Sequence, residues 1–122
     1  MPARQHRITR GDDYRRIVRS GNRVGGATCI THAVLHVDEG LPARFGFIVS
    51  KAVGNAVTRN LVRRRLKSIV ERRLAAGFTG ADVVFRALPA SAAVPFAELE
   101  RETVRALDRA VRRREPGHAQ RH

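Results

Sequence analysis

Between residues 60 and 70 the apolar residues Val62, Leu66, Ile69 and Val70 fall three or four apart, and most of the residues between them are basic. At about 100° per residue this spacing puts the four on one stripe, while Asn60, Arg63, Arg64 and Lys67 gather on a different arc. The pattern predicts a helix with one side that packs and one that binds. It follows the turn Gly54-Asn55, which itself follows a strand ending at Ser50, so the helix starts near Asn55. Phe96, Leu99, Thr103, Leu107 and Ala110 repeat at core spacing and predict a last helix, with Arg112 to Arg114 at its end and a frayed remainder to His122. A shorter amphipathic helix is predicted near the N-terminus. Asp12 and Asp13 supply acids for its first turn, Tyr14, Ile17 and Val18 its apolar face, and Gly21 its stop.

A second periodicity marks the strands. Residues 28–37 are β-branched and apolar enough for one strand, and Asp38-Glu39-Gly40-Leu41-Pro42 is a turn into a hairpin return over 43–50. In that return strand Phe45, Phe47 and Val49 alternate with Arg44, Gly46 and Ile48, which directs the aromatic face into the core. Asp82–Ala87 predicts a further short strand. The order is helix, two or three strands, helix, strand, helix, the signature of an α+β two-layer sandwich in which helices cover one sheet. At 122 residues the chain holds one domain, taken as residues 1–114, followed by a flexible basic tail over 115–122. The two interior helices cannot cover the whole sheet. Its most open surface, rimmed by the basic N-terminal segment, is expected to be a second binding surface.

Charge changes this picture from a generic small domain to a polyanion binder. The formal net charge is +13, and a large polyanion is the partner such a charge implies. The excess is uneven: residues 51–73 carry +7, against −1 for 24–50 and −2 for 74–100. Within 51–73 only Glu71 stands against eight basic side chains. A solvated charged face needs more acids than that, so the like charges repel unless an anion is present. Backbone N–H groups at the helix start and a row of guanidinium groups make phosphate the natural ligand. Of the 24 basic residues 22 are arginine, which suits bidentate phosphate contacts, although a GC-rich coding sequence produces the same bias.

Other chemistry is thin. The single cysteine, Cys29, has no internal disulfide or metal partner, and no stretch is apolar enough for a membrane span or a signal peptide, so cytoplasmic residence is expected. Tyr14 and His32 can stack on unpaired bases; equally, Tyr14 suits a core position, and His32 and His36 read as half-exposed strand residues. His6, His118 and His122 lie near expected flexible ends and take no metal role. Asn60 can hydrogen-bond a ribose, a base or a phosphate, or orient Arg64. No nucleophile and base stand together, and the close acid pairs Asp12-Asp13 and Asp38-Glu39 read as surface positions that do not hold catalytic magnesium. Gly25-Gly26 and Gly54 lack the Lys-Ser/Thr pair of a nucleotide-binding phosphate loop.

An ordered set of motifs resembles the bacterial ribonuclease P protein family. His6-Arg7-Ile8, Asp13-Tyr14 and Val18-Arg19-Ser20-Gly21 resemble its opening. Phe45-Gly46 and Val49-Ser50-Lys51, then Val53-Gly54-Asn55-Ala56-Val57 and Arg59-Asn60, resemble its central signature. Asp82-Val83-Val84, Arg86-Ala87 and Pro89-Ala90 resemble its last strand, while residues 91–122 match only as a helix with a basic tail. The resemblance implies an αβββαβα, ribosomal-protein-like fold with a left-handed β-α-β crossover, against the usual right-handed preference. It implies that the protein joins a catalytic RNA to remove the 5′ leader of precursor tRNA, the RNA carrying out hydrolysis with bound Mg2+ and the protein binding no cofactor of its own. Arg59, Asn60, Arg63, Arg64 and Lys67 then contact the catalytic RNA, and Tyr14, Val18, His32, Lys51 and Arg86 the single-stranded leader. Neither a membrane nor a small-molecule substrate is implied.

The chain departs from that pattern at Leu61, where a third basic residue is usual, at Ala52, where a second lysine is common, and at Val18 and His32, where aromatic residues are frequent. Arg65, about one turn from Leu61, is expected to replace part of the lost charge. A general RNA-binding or ribosomal protein without a processing role accounts for the same composition, and a DNA-binding module ranks below it because the strand-rich half does not resemble a helix-turn-helix. A stand-alone nuclease ranks last.

Overall fold

The computed structural model describes residues 3–112. In chain order these form α1 (Gly11–Ser20), β1 (Asn22–Gly25), β2 (Cys29–Leu35), β3 (Arg44–Ile48), α2 (Ala56–Ala75), β4 (Ala81–Ala87) and α3 (Phe96–Ala110), with short 3-10 turns at Arg4–His6 and Pro89–Ala92. The order αβββαβα is therefore present. The tail expected over 115–122, together with Arg113 and Arg114, lies outside the described residues.

One sheet runs β1-β2-β4-β3, so the hairpin expected across residues 38–42 does not form: β4 lies between β2 and β3 and takes the hydrogen bonds that β3 would have made to β2. β1 and β4 pair antiparallel with β2, and β3 pairs parallel with β4. A parallel pair needs a long connection rather than a tight turn, and α2 supplies it. β4 is central, with Val83, Val84 and Phe85 fully buried. β1 was not located by the hydrophobic pattern: Asn22-Arg23-Val24-Gly25 offers one apolar side chain and is a strand only because β2 lies beside it.

The two faces of the sheet are covered unequally. On one face α2 and α3 bury Phe45, Phe85, Val83, Val70 and Leu107, continuous with Val62, Leu66, Ile69 and Leu99. The rings of Phe45 and Phe47 stack on Phe85 at 6.1 and 6.2 Å. All four members of the expected α2 stripe are buried. On the other face only α1 and the N-terminal segment cover the sheet, through a smaller cluster of Ile8, Ile17 and Val84 with Tyr14, Val18 and Ile48 beside it. Ile48, which alternates away from the core-facing aromatics, thus packs under α1.

Two glycines are required by geometry. A Cβ on Gly46 would lie 2.5 Å from the Tyr14 hydroxyl and 2.6 Å from its ring, so Tyr14 rests directly on the β3 backbone. Gly54 has φ +155°, and a Cβ there would meet Thr58 at 2.8 Å. The next residue, Asn55, caps α2, its Oδ1 accepting from the Thr58 N–H at 2.9 Å. A cap of this kind is worth about 1 kcal/mol, and it sets the start of α2 at the position the sequence predicts.

Candidate nucleic-acid interface

The basic arc of α2 follows from the helix geometry, but its members differ in setting. Asn60 and Arg64 are exposed, while Arg59, Arg63 and Lys67 are half-buried along its flanks. Arg59, Arg63 and Arg64 form no ion pair with a carboxylate among the described residues. The Arg59 Nε is buried without a hydrogen-bond partner. Arg63 Nη1 donates to Asn60 Oδ1 at 3.4 Å, and its Nη2 to the Val49 carbonyl at 3.5 Å. Asn60 therefore orients Arg63 rather than Arg64, and both long bonds leave the guanidinium able to exchange them for a stronger acceptor. Arg65 does not stand in for the charge absent at Leu61. Its guanidinium turns inward and donates to the Val94 carbonyl at 3.0 Å, tying α2 to the turn before α3.

Beside this row α1 and β3 frame two concavities that share Tyr14. One is an open groove of about 350 Å³ between Tyr14, Val18 and Ile48, flanked by Arg15 and Arg19. The other is a cavity of about 200 Å³ on the opposite side of Tyr14, reaching Arg63 and Lys67 of α2. The Tyr14 hydroxyl accepts the outward-pointing N–H of Phe47 at 3.2 Å, which satisfies a donor on the edge strand β3.

The residues matched to a leader site are only partly brought together. Tyr14 and Val18 line the groove. Arg86 is exposed and pairs in register with Ile48, so it borders the same groove. His32 lies between Arg23 and Val84 across the strands, but it is only 4% exposed and offers no open ring for stacking in this structure. Burial pushes its imidazole below the ordinary pKa, and the charges of Arg23 and Arg86 push the same way, toward the neutral form. Lys51 is exposed in the turn after β3, outside both concavities.

Sequence reasoning missed the device that holds α1 in place. Asp82 of β4 is 4% exposed and accepts hydrogen bonds from Arg44 at 2.7 and 3.0 Å, from Arg16 of α1 at 3.1 Å and from His36 Nε2 at 2.8 Å. Burial works to raise its carboxyl pKa, but the hydrogen bonds from Arg44, His36 and Arg16 outweigh this and bring it down to about 2. Asp13, expected at the surface, joins the same cluster at 3.5 Å from Arg44 and 3.6 Å from Arg16. His36 is half-buried, as expected, and is in addition a structural partner of Asp82. His6 is likewise not on a loose end: its Nδ1 lies 2.7 Å from the Ala43 carbonyl. The available signal was an acid directly before the apolar run Val83-Val84-Phe85 of β4, at a spacing that sequence could not connect to Arg16 and Arg44.

An α+β sheet with one face lightly covered, and an arginine row without carboxylate partners beside an apolar groove, defines a small nucleic-acid-binding protein. A family model described as Ribonuclease P matches residues 1–111, and the chain belongs to that family. A relative from Clavibacter michiganensis, named ribonuclease P protein component, is 47% identical over 112 residues, covering 92% of this chain and 98% of the relative. A relative of the same name from Kocuria rhizophila is 42% identical over 113 residues, covering 93% and 97%. Among solved structures, the RNase P protein of Staphylococcus aureus superposes with a TM-score of 0.77 at 23% identity, covering 87% of this chain and 95% of that one. The RNase P protein of Thermotoga maritima does so with 0.73 at 20% identity, covering 84% and 96%. At these identities the structural likeness speaks for the fold alone, an α+β arrangement of one four-stranded sheet and three helices.

Proposed function

We propose that this protein is the RNA-binding subunit of a ribonuclease P, in which α2 grips the catalytic RNA and the groove at Tyr14 receives the 5′ leader of precursor tRNA. Membership of the family supports the holoenzyme. The observation that carries the division of labour is the arginine row of α2, with no carboxylate opposite Arg59, Arg63 or Arg64 among the described residues, standing beside a separate, largely apolar groove. Phosphates neutralise the row and unpaired bases suit the groove.

Mg2+ belongs with the RNA in this reading. Among the described residues no three His, Cys, Asp or Glu side chains gather as a cation site, and the one buried acid, Asp82, is already saturated by Arg16, Arg44 and His36. The described residues do not fit a catalytic metal, and in this reading no step of hydrolysis passes through them. What they contribute is binding energy and charge screening, which lowers the concentration of Mg2+ that the folded RNA requires. Residence in the cytoplasm, where the substrate is made, fits this role.

The test is cleavage of precursor tRNA by the catalytic RNA at low Mg2+, with and without the chain. Strong stimulation is expected, and Tyr14→Ala should reduce affinity for leader-bearing substrate by roughly 1–3 kcal/mol, the range of one base stacked on an aromatic ring, while sparing leaderless tRNA. An absence of stimulation would leave a general RNA-binding protein.

A further inference from the structure

We propose that the cavity on the α2 side of Tyr14 is a binding site for one phosphodiester of an unpaired RNA strand whose adjoining base lies in the Tyr14–Val18 groove. The inference rests on the RNA-binding reading above and adds a residue, Arg7, to which neither the motifs nor the groove assigns a role.

The cavity is built from three separate elements. Arg7 and Thr9 come from the N-terminal segment, Tyr14 from α1, and Arg63 and Lys67 from α2. Its floor is Ile8, Phe45 and Phe47, and no acid lines it. Three cationic side chains around an apolar floor favour an anion over a neutral ligand, because the low-dielectric floor strengthens each attraction. At about 200 Å³ it falls below the roughly 300–1,000 Å³ of a typical small-molecule site, a size suited to a phosphate group.

Arg7 is placed there by a docked backbone. The His6 Nδ1 lies 2.7 Å from the Ala43 carbonyl on one side of it, and on the other the Ile8 N–H donates to the Phe45 carbonyl at 2.9 Å, with Ile8 itself buried. Tyr14 connects the two concavities. Its hydroxyl oxygen accepts from the Phe47 N–H, which leaves the hydroxyl proton to donate to a second acceptor, and its ring also lines the groove. A strand crossing Tyr14 thus meets an apolar wall for a base on one side and cationic donors for the linking phosphate on the other.

The full chain is assembled with the catalytic RNA, and binding of precursor tRNA is measured with single leader linkages replaced in turn by uncharged methylphosphonates. For the unmodified chain, one position near the cleavage end should weaken binding about tenfold, the scale of one charge-assisted contact. Arg7→Gln should weaken binding of the normal leader by a similar factor, leave leaderless tRNA and catalytic-RNA affinity unchanged, and abolish the effect of that one methylphosphonate, the non-additivity of two partners in one contact. Tyr14→Phe should show the same coupling more weakly. Additive effects at every linkage, or a loss confined to catalytic-RNA affinity, would overturn the proposal. An independent reading comes from a short unstructured oligoribonucleotide titrated into the isotopically labelled chain alone. The Phe47 amide should shift on titration and fail to shift in Arg7→Gln; no shift in the unmodified chain overturns the pocket. Because this needs no cleavage, a chain that failed to stimulate the catalytic RNA could still display the pocket, and the two readings fail separately.

Discussion

Arg64 and Arg72 lie on the same helix about two turns apart and have opposite surroundings. Arg72 donates to both carboxylate oxygens of Glu100 at 2.8 and 2.9 Å and stands 5.3 Å over the ring of Phe96, and its neighbour Arg73 reaches Asp108 at 3.4 Å. Arg64 is exposed and meets no carboxylate. The contrast extends beyond α2: Arg16 and Arg44 are paired through Asp82 and Asp13, while Arg59 and Arg63 have no such partner among the described residues. Arg16, Arg44, Arg72 and Arg73, which meet acids of other elements, and Arg65 on the Val94 carbonyl hold this protein together, while Arg59, Arg63 and Arg64 are left for something outside it. α3 draws this division on α2, since it lies against the C-terminal half and supplies Glu100 and Asp108 there.

The comparison can be broken most severely in the paired set. Asp82→Asn leaves Arg16 and Arg44 without their shared acceptor, and loss of one side of a buried charged cluster costs about 3 kcal/mol; urea unfolding measures it. Loss of less than about 1 kcal/mol would mean that these arginines do not depend on the acid. The same group gives a pH signature. The Asp82 carboxyl is held at about 2 against an ordinary 3.8, so the folded state favours the ionised form. Its contribution is present above about pH 4 and fades as pH falls through the interval toward 2. The unmodified protein should lose stability across that interval more steeply than Asp82→Asn.

A smaller effect is expected in the unpaired set. Arg64→Ala should weaken assembly with the catalytic RNA about tenfold and make its salt dependence shallower by about one contact, with unfolding unchanged. An unaltered affinity in a filter-binding titration would remove α2 from the interface. Smallest of all, Arg72→Ala should lower stability by about 0.5–1 kcal/mol, as expected for a solvent-facing ion pair with a ring contact, and leave RNA affinity at matched salt untouched. A variant that lowered RNA affinity instead would erase the distinction between the two sets.

The helices were legible because each repeats apolar residues with the helix period. Val62, Leu66, Ile69 and Val70 on α2, and Leu99, Thr103, Leu107 and Ala110 on α3, are buried as that period demands. β1 was illegible because a four-residue edge strand with one apolar side chain has no period to read. Of the site, the basic row could be read and its subdivision could not. Helical spacing places Arg63, Arg64 and Lys67 on one arc, but only the nearness of β3 and the N-terminal segment makes Arg63 and Lys67 the wall of a cavity while Arg64 stays open.

The amino-acid sequence by itself determined the order of the elements other than β1, the packing stripe of α2, the Asn55 cap and the concentration of positive charge, because all of these depend on residues within a few turns of one another. The tertiary structure decided which arginines keep their charge for a partner. That choice turns on acids 28 to 66 positions away, Glu100 for Arg72 and Asp82 for Arg16, and on Tyr14 resting against Gly46 to divide one basic surface into a groove and a pocket. Local periodicity carries no information about such distances; only the path of the chain through the sheet brings those groups within hydrogen-bonding reach.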